Sequence, residues 1–236
     1  MRNSYIYYGF NKERLLKALL NFSNNMEYIS VLVSNLEQKD SYLPKDYINY
    51  DAIPYVASAF LVQTPNTDIA FEHSWRLLKK TVDKNIYQDL CCANDYRKSM
   101  SSDKSAFVSH LPSYQTKSGY IYLIRVVSDL FHINEYDAIK IISQISSILI
   151  VFVMAISFFK ERLPIYLSIF PVLLLLEILQ LSRLMTPDAL IGLVMLISAY
   201  LLSKNKFLIA YTVLIFSILL RQTNIIFVGI FSFAKL

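Results

Sequence analysis

The side chains able to move a proton or hold an anion are few in this sequence, and they stand at breaks in aromatic or apolar stretches. Asp51 lies three residues before Pro54 in Asn49-Tyr-Asp-Ala-Ile-Pro-Tyr55. There a carboxylate either caps the short helix that the proline opens or is held out over a membrane surface as a base. Arg183 and Asp188 bracket the turn Arg183-Leu-Met-Thr-Pro-Asp188, and Arg221 and Asn224 bracket Arg221-Gln-Thr-Asn224. Thr186-Pro187-Asp188 reads as a helix start, with Thr186 as cap, Pro187 at the first helical position and Asp188 against the positive helix end. Arg183 and Arg221 interrupt apolar sequence, and a cation held at membrane depth is costly enough to be a functional-site candidate. The competing account is that both arginines snorkel to lipid phosphates.

Other chemistries find no foothold. His73, His110 and His132 stand far apart with no second ligand at metal spacing, so no metal site is predicted. Cys91 and Cys92 are adjacent, too strained for an ordinary disulfide and unlike a zinc motif, and read as buried small residues. The sequence contains no glycine-rich phosphate loop, nucleophile elbow or internal repeat, and no cofactor is implied.

The elements that must position these residues divide unevenly along the 236-residue chain, which is 55% hydrophobic and only 17% charged. Its mean hydropathy of +0.40 is high for a soluble domain. Residues 1–138 hold 15 Lys/Arg and 15 Asp/Glu, so the formal charge of +5 belongs entirely to the apolar remainder. A basic excess among apolar helices matches retained cytoplasmic loops, and no nucleic-acid partner follows from it.

The pattern predicts an all-α membrane protein in two parts. Residues 1–138 form a mostly helical extramembrane domain. Within it, apolar residues recur at helical spacing over Asn11–Leu36, Thr67–Leu90 reads as one or two amphipathic helices, and Asn94–Ser105 reads as a polar loop. Ala106–Leu130 passes from an extended aromatic approach into a helix at the membrane surface. No signal peptide is visible at the start. Residues 139–236 form a transmembrane domain of four to five helices, near 139–159, 163–181, 188–203 and 207–221, with a partial one at 225–234. With Lys160/Arg162, Lys204/Lys206 and Lys235 inside, residues 1–138 and the turns at Arg183–Asp188 and Arg221–Asn224 fall on one outer face.

In order along the chain stand Tyr50-Asp51 with Pro54-Tyr55, then Pro112-Ser-Tyr114 and Lys117-Ser-Gly-Tyr120, then Arg183-Leu-Met-Thr-Pro-Asp188, then Leu220-Arg-Gln-Thr-Asn224. This succession resembles the C-type polytopic membrane glycosyltransferases, which use polyprenyl-phosphate-linked sugars and include mannosyl-, glucosyl- and aminoarabinose-transferring members. The resemblance covers roughly residues 49–230 and rests on short motifs. It implies that Asp51 is the general base toward an acceptor hydroxyl and that Lys117, Arg183 and Arg221 hold the donor phosphate. Tyr55, Tyr114, Asp188 and Asn224 take supporting places.

On that footing the partners are a lipid-linked sugar donor and membrane lipids, the acceptor is unassigned, and the location is the plasma (inner) membrane, with several passes. The family places a membrane helix before the acidic loop and commonly eight or more in total, so the chain is expected to be either a truncated or degenerate member or a complete one oriented otherwise. The alternative is a non-enzymatic, membrane-anchored protein whose N-terminal domain binds a partner. A transporter fragment is third, since the apolar runs lack the glycine breaks and mid-depth acids of transport helices.

Overall fold

The computed structural model describes residues 48–161 and 181–233, with side chains over 48–157 and 181–229. The helical spacing at Asn11–Leu36, residues 163–180 of the expected span 163–181, and Lys235 lie outside the described residues. Everything described is helical or connecting chain, in agreement with the all-α expectation, and belongs to one compact unit, Asp46–Leu236.

The unit is built around α1 (Ala52–Leu61), which packs against four other helices, α2 (Thr67–Thr81), α5 (Lys104–Gln115), α6 (Ser118–Phe131) and α7 (Glu135–Glu161). Its sequence, AIPYVASAFL, has no charge, and residues 52–59 are all buried. A helix that is apolar all round can only be a core helix or a membrane span, and ten residues are too few to span. The same core takes in Trp75 and Leu78 of α2, Phe107 and Leu111 of α5, Tyr120 and Ile124 of α6, and Tyr136, Ile139 and Ile142 of α7. Met185, Val194 and Leu220, from the apolar C-terminal part, join it too.

Two stretches are helical where the sequence pattern gave none. Asn94–Ser105 holds α4 (Asp95–Ser102), because the Asn94 side chain accepts the Arg97 amide at 2.8 Å and supplies the helix cap. The aromatic approach before Ser118 is the body of α5, capped by Asp103, which accepts the Ser105 and Ala106 amides, and it carries Pro112 in its interior. Between them, α3 (Lys84–Cys92) ends at Cys91 and Cys92, whose sulfurs are joined in a disulfide between neighbours. That corrects the reading of both as buried small residues: Cys91 is buried, but Cys92 is exposed.

The expectation of four to five membrane spans is also corrected. Among the described residues one helix is long and apolar enough to cross a membrane, the first 23 residues of α7, Glu135–Ser157, with mean hydropathy 2.2. The helices that follow, α8 (Asp188–Ser203) and α9 (Phe207–Leu220), have 16 and 14 residues. At 1.5 Å per residue they reach about 24 Å and about 21 Å, short of a hydrocarbon layer of about 30 Å. The turns Lys204–Lys206 and Arg221–Asn224 are what cut them short. The last segment, α10 (Ile225–Phe233), has nine residues.

Helix α7 runs unbroken through residues 138 and 139. Its first turn is anchored by polar contacts: Glu135 accepts from His73 at 3.2 Å and from Arg125 at 3.4 Å, and Arg125 also pairs with Asp129. Phe60, at the far end of α1, stacks on His73 with centroids 4.2 Å apart.

Candidate functional site

At the other end of α1, four stretches of chain bring charged and phenolic side chains together. Asp51 precedes α1 without capping it: no amide of the first turn bonds to its side chain. Instead the Tyr114 hydroxyl donates to Asp51 Oδ1 at 2.9 Å. The first of the two readings of Asp51, a helix cap, is therefore not the geometry found. The backbone still starts the helix, with the Ala52 amide donating to the Asn49 carbonyl at 3.0 Å.

One turn on, Tyr55 is buried with its ring edge-on to Tyr114 and Tyr120, centroids 5.1 and 5.2 Å away. Lys117 links α5 to α6, and its ammonium donates to the Tyr55 hydroxyl. It also lies over the rings of Tyr55 and Tyr114, at 4.7 and 5.2 Å from their centroids. Burial lowers the lysine pKa; the charges acting on it are Asp51 and Asp188, which oppose the shift, and Arg221, which adds to it.

The remaining pair closes the cluster. Asp188 opens α8 and Arg221 ends α9, so each sits at the helix end whose partial charge it complements. Arg221 Nη1 donates to Asp188 Oδ1 at 2.8 Å, and the Thr186 hydroxyl donates to Asp188 Oδ2 at 2.8 Å. Thr186 thus holds the carboxylate and does not cap the helix, whose preceding residue is Pro187. Both charges reach the aromatic layer, since the field of Asp188 and Arg221 acts on Tyr55, and that of Asp188 on Tyr120.

Gly119 permits this convergence. A Cβ at this position would meet Leu219 Cβ at 3.0 Å and the Leu219 carbonyl oxygen at 3.1 Å. The missing side chain lets the start of α6 lie against the end of α9, placing Lys117 beside Arg221.

Of the residues singled out by sequence, Asp51, Tyr55, Tyr114, Lys117, Asp188 and Arg221 share this cluster. Asn224 lies beneath it: it is buried, and its amide donates to the Ser217 carbonyl at 3.1 Å, capping the last turn of α9. Arg183 is exposed before the Thr186 turn and is not among the charges acting most strongly on Lys117 or Tyr55. Tyr120, which closes the stretch Lys117-Ser-Gly-Tyr120 but had no role assigned from sequence, is a further member, placed one turn into α6. Its hydroxyl is buried with no hydrogen-bond partner.

Chemically the cluster offers a carboxylate fixed by a phenol, a partly desolvated ammonium on aromatic faces, and a guanidinium that uses one of its five N–H groups on Asp188. Among the described residues no three His, Cys, Asp or Glu side chains converge as a metal cage would require. Comparison with known proteins adds no relative: no family model, no curated protein and no solved structure matches the chain.

Proposed function

We propose that the cluster is a glycosyl-transfer site for a polyprenyl-phosphate-linked sugar, used at a membrane surface. The observation that carries this reading is the meeting of Asp51, Lys117, Asp188 and Arg221, separated by up to 170 positions in sequence, around one aromatic layer. In the reaction, Asp51 takes the proton from the acceptor hydroxyl as that oxygen bonds to the anomeric carbon. The bond from that carbon to the phosphate oxygen breaks, and the lipid phosphate leaves with its electron pair. Lys117 and the unused N–H groups of Arg221 stabilise the leaving charge, which a guanidinium does well because it can bind two phosphate oxygens at once. Asp188 and Thr186 hold Arg221 in place until the phosphate arrives. Tyr114 orients Asp51, and its own pKa is raised by burial and by that carboxylate, so it remains a hydrogen-bond donor at neutral pH.

The test is transfer from polyprenyl-phosphate mannose, glucose and aminoarabinose, offered separately in membranes containing the full chain. Asp51→Asn keeps the size and the Tyr114 contact but removes basicity, and is expected to lower the transfer rate about 10²- to 10⁴-fold with little change in melting temperature. Unaltered transfer would move the base elsewhere. Absence of transfer from all three donors by the parent chain would favour the partner-binding alternative, with the cluster as a mutually satisfied polar joint.

A further inference from the structure

We propose that the acceptor is a neutral sugar, and that Tyr96, flanked by His110 and Arg97, is the platform on which its ring lies while one of its hydroxyls reaches Asp51. The inference rests on the glycosyl-transfer reading of Asp51 and adds to it a subsite for the acceptor. Tyr96 stands in the first turn of α4 and is 47% exposed. His110, also exposed, meets it with 5.7 Å between centroids and 82° between planes. Tyr50, the residue before Asp51, meets it at 5.8 Å and 59°. Neither neighbour stacks flat on the Tyr96 ring. The Arg97 guanidinium lies 5.7 Å from the centre of the Tyr50 ring.

Two connections tie this patch to the base. Tyr50 directly precedes Asp51, and burial, Tyr96 and Asp51 raise its pKa while Arg97 lowers it, so one ring feels all three groups. The other connection runs along α5. His110 and Tyr114 are four residues apart on that helix and so lie on one face, with Cβ atoms about 5–6 Å apart. His110 is against Tyr96, and the Tyr114 hydroxyl is on Asp51 Oδ1. The step from platform to carboxylate is thus one helical turn, the breadth of a single sugar ring. A pyranose has a flat face of C–H groups, which suits the electron-rich face of an aromatic ring, and a rim of hydroxyls, which suits polar groups at its sides. His110 and the remaining Arg97 N–H groups supply those. Arg97 Nη1 donates to the Asp89 carboxylate at 3.0 Å and to the Asp89 carbonyl at 2.9 Å, so its charge is already matched and the occupant that fits is neutral. The same bonds hold the start of α4 against the end of α3, so the platform is formed before any ligand arrives.

Sugar binding is measured apart from transfer, by saturation-transfer difference NMR on the full chain in lipid nanodiscs free of glycolipid. The probes are the methyl glycosides of glucose, mannose and N-acetylglucosamine, with glucuronate as the anionic control. Irradiation of aromatic protein protons is expected to carry saturation to the ring C–H protons of at least one glycoside, and less to glucuronate. Tyr96→Ala should reduce that signal about fivefold, the worth of one aromatic stacking contact, and Tyr96→Phe should retain it. His110→Ala, at an exposed position that tolerates truncation, is an independent check and should lower the signal about twofold. No saturation transfer to any of the three glycosides, equal transfer to glucuronate, a signal undiminished in Tyr96→Ala, or one lost as fully in Tyr96→Phe as in Tyr96→Ala would each overturn the platform. Glycoside binding by a parent chain that transfers from no donor would uphold the platform and remove Asp51 as the base. Transfer to a neutral sugar at an unchanged rate in Tyr96→Ala would remove the platform and leave Asp51 as the base.

Discussion

Tyr120 and Tyr114 sit one helical turn apart from the same lysine, yet their hydroxyls have opposite energetic standing. The Tyr114 hydroxyl is bonded to a carboxylate, and a hydrogen bond to a charged group is worth about 1.5–3 kcal/mol. The Tyr120 hydroxyl is buried without a partner, so removing it relieves a desolvation cost. Tyr120→Phe is therefore expected to be neutral or to stabilise by up to about 1 kcal/mol, and Tyr114→Phe to destabilise, with chemical denaturation as the measurement. Equal destabilisation by the two would mean that the Tyr120 hydroxyl has a partner after all. The same scale explains which site residues the sequence made legible. Asp51, Arg183, Asp188 and Arg221 stood out because a charge at a break in aromatic or apolar sequence needs a reason, whereas Lys117 had a role only through the family resemblance. Tyr120 was named in the stretch Lys117-Ser-Gly-Tyr120 but given no role, because a tyrosine among 17 carries no such signal.

At the scale of elements, the joint between α6 and α9 depends on one missing Cβ. Gly119→Ala gains helix propensity, about 1 kcal/mol, but places a carbon against Leu219 Cβ and the Leu219 carbonyl, so the two effects largely offset. Gly119→Val adds branching at a contact that cannot open without moving α9, and is expected to cost about 1–3 kcal/mol. It should also weaken any anion binding that uses Lys117 and Arg221 together. Gly, Ala and Val variants of equal stability would show that the close approach has no energetic weight. The caps follow a simpler rule: Asn94→Ala should cost about 1 kcal/mol by releasing the amide of Arg97. Asn94 and Asp103 show why α4 and the start of α5 escaped the sequence reading. The stretch is polar and serine-rich, with Met100 its one buried residue, so no apolar period marks it as helical. The apolar runs erred in another way: α8 and α9 match the expected 188–203 and 207–221 almost end to end, but helices of 16 and 14 residues are too short to cross a hydrocarbon layer of about 30 Å.

On the whole-molecule scale, the division at residue 138 followed a change in composition, whereas the core follows contact. Tyr55, Tyr120 and Tyr136 lie in one cluster with Met185, Val194 and Leu220, so residues on both sides of that boundary bury one another. Such a core responds as a unit to alkaline pH. Tyr50, Tyr55, Tyr114 and Tyr120 all have pKa values raised above the ordinary 10.0, chiefly by burial. For an acid whose folded pKa is raised, the unfolded chain releases its proton first, so the stabilisation is fully present below pH 10 and is lost as pH rises beyond it. Lys117 works the other way. Its folded pKa is lowered from 10.5, so the cost of burying its charge is relieved as pH climbs toward that value. With four phenols against one ammonium, stability is expected to hold or rise slightly up to about pH 10 and then to fall steeply. In the difference between the parent and Tyr120→Phe, the tyrosinate absorbance near 295 nm that belongs to the buried Tyr120 hydroxyl should appear together with the loss of helical circular dichroism. That difference absorbance appearing a full pH unit before helix loss would show that the Tyr120 hydroxyl is reached by solvent in the folded protein. In Lys117→Met the small rise below pH 10 should vanish while the fall above it remains.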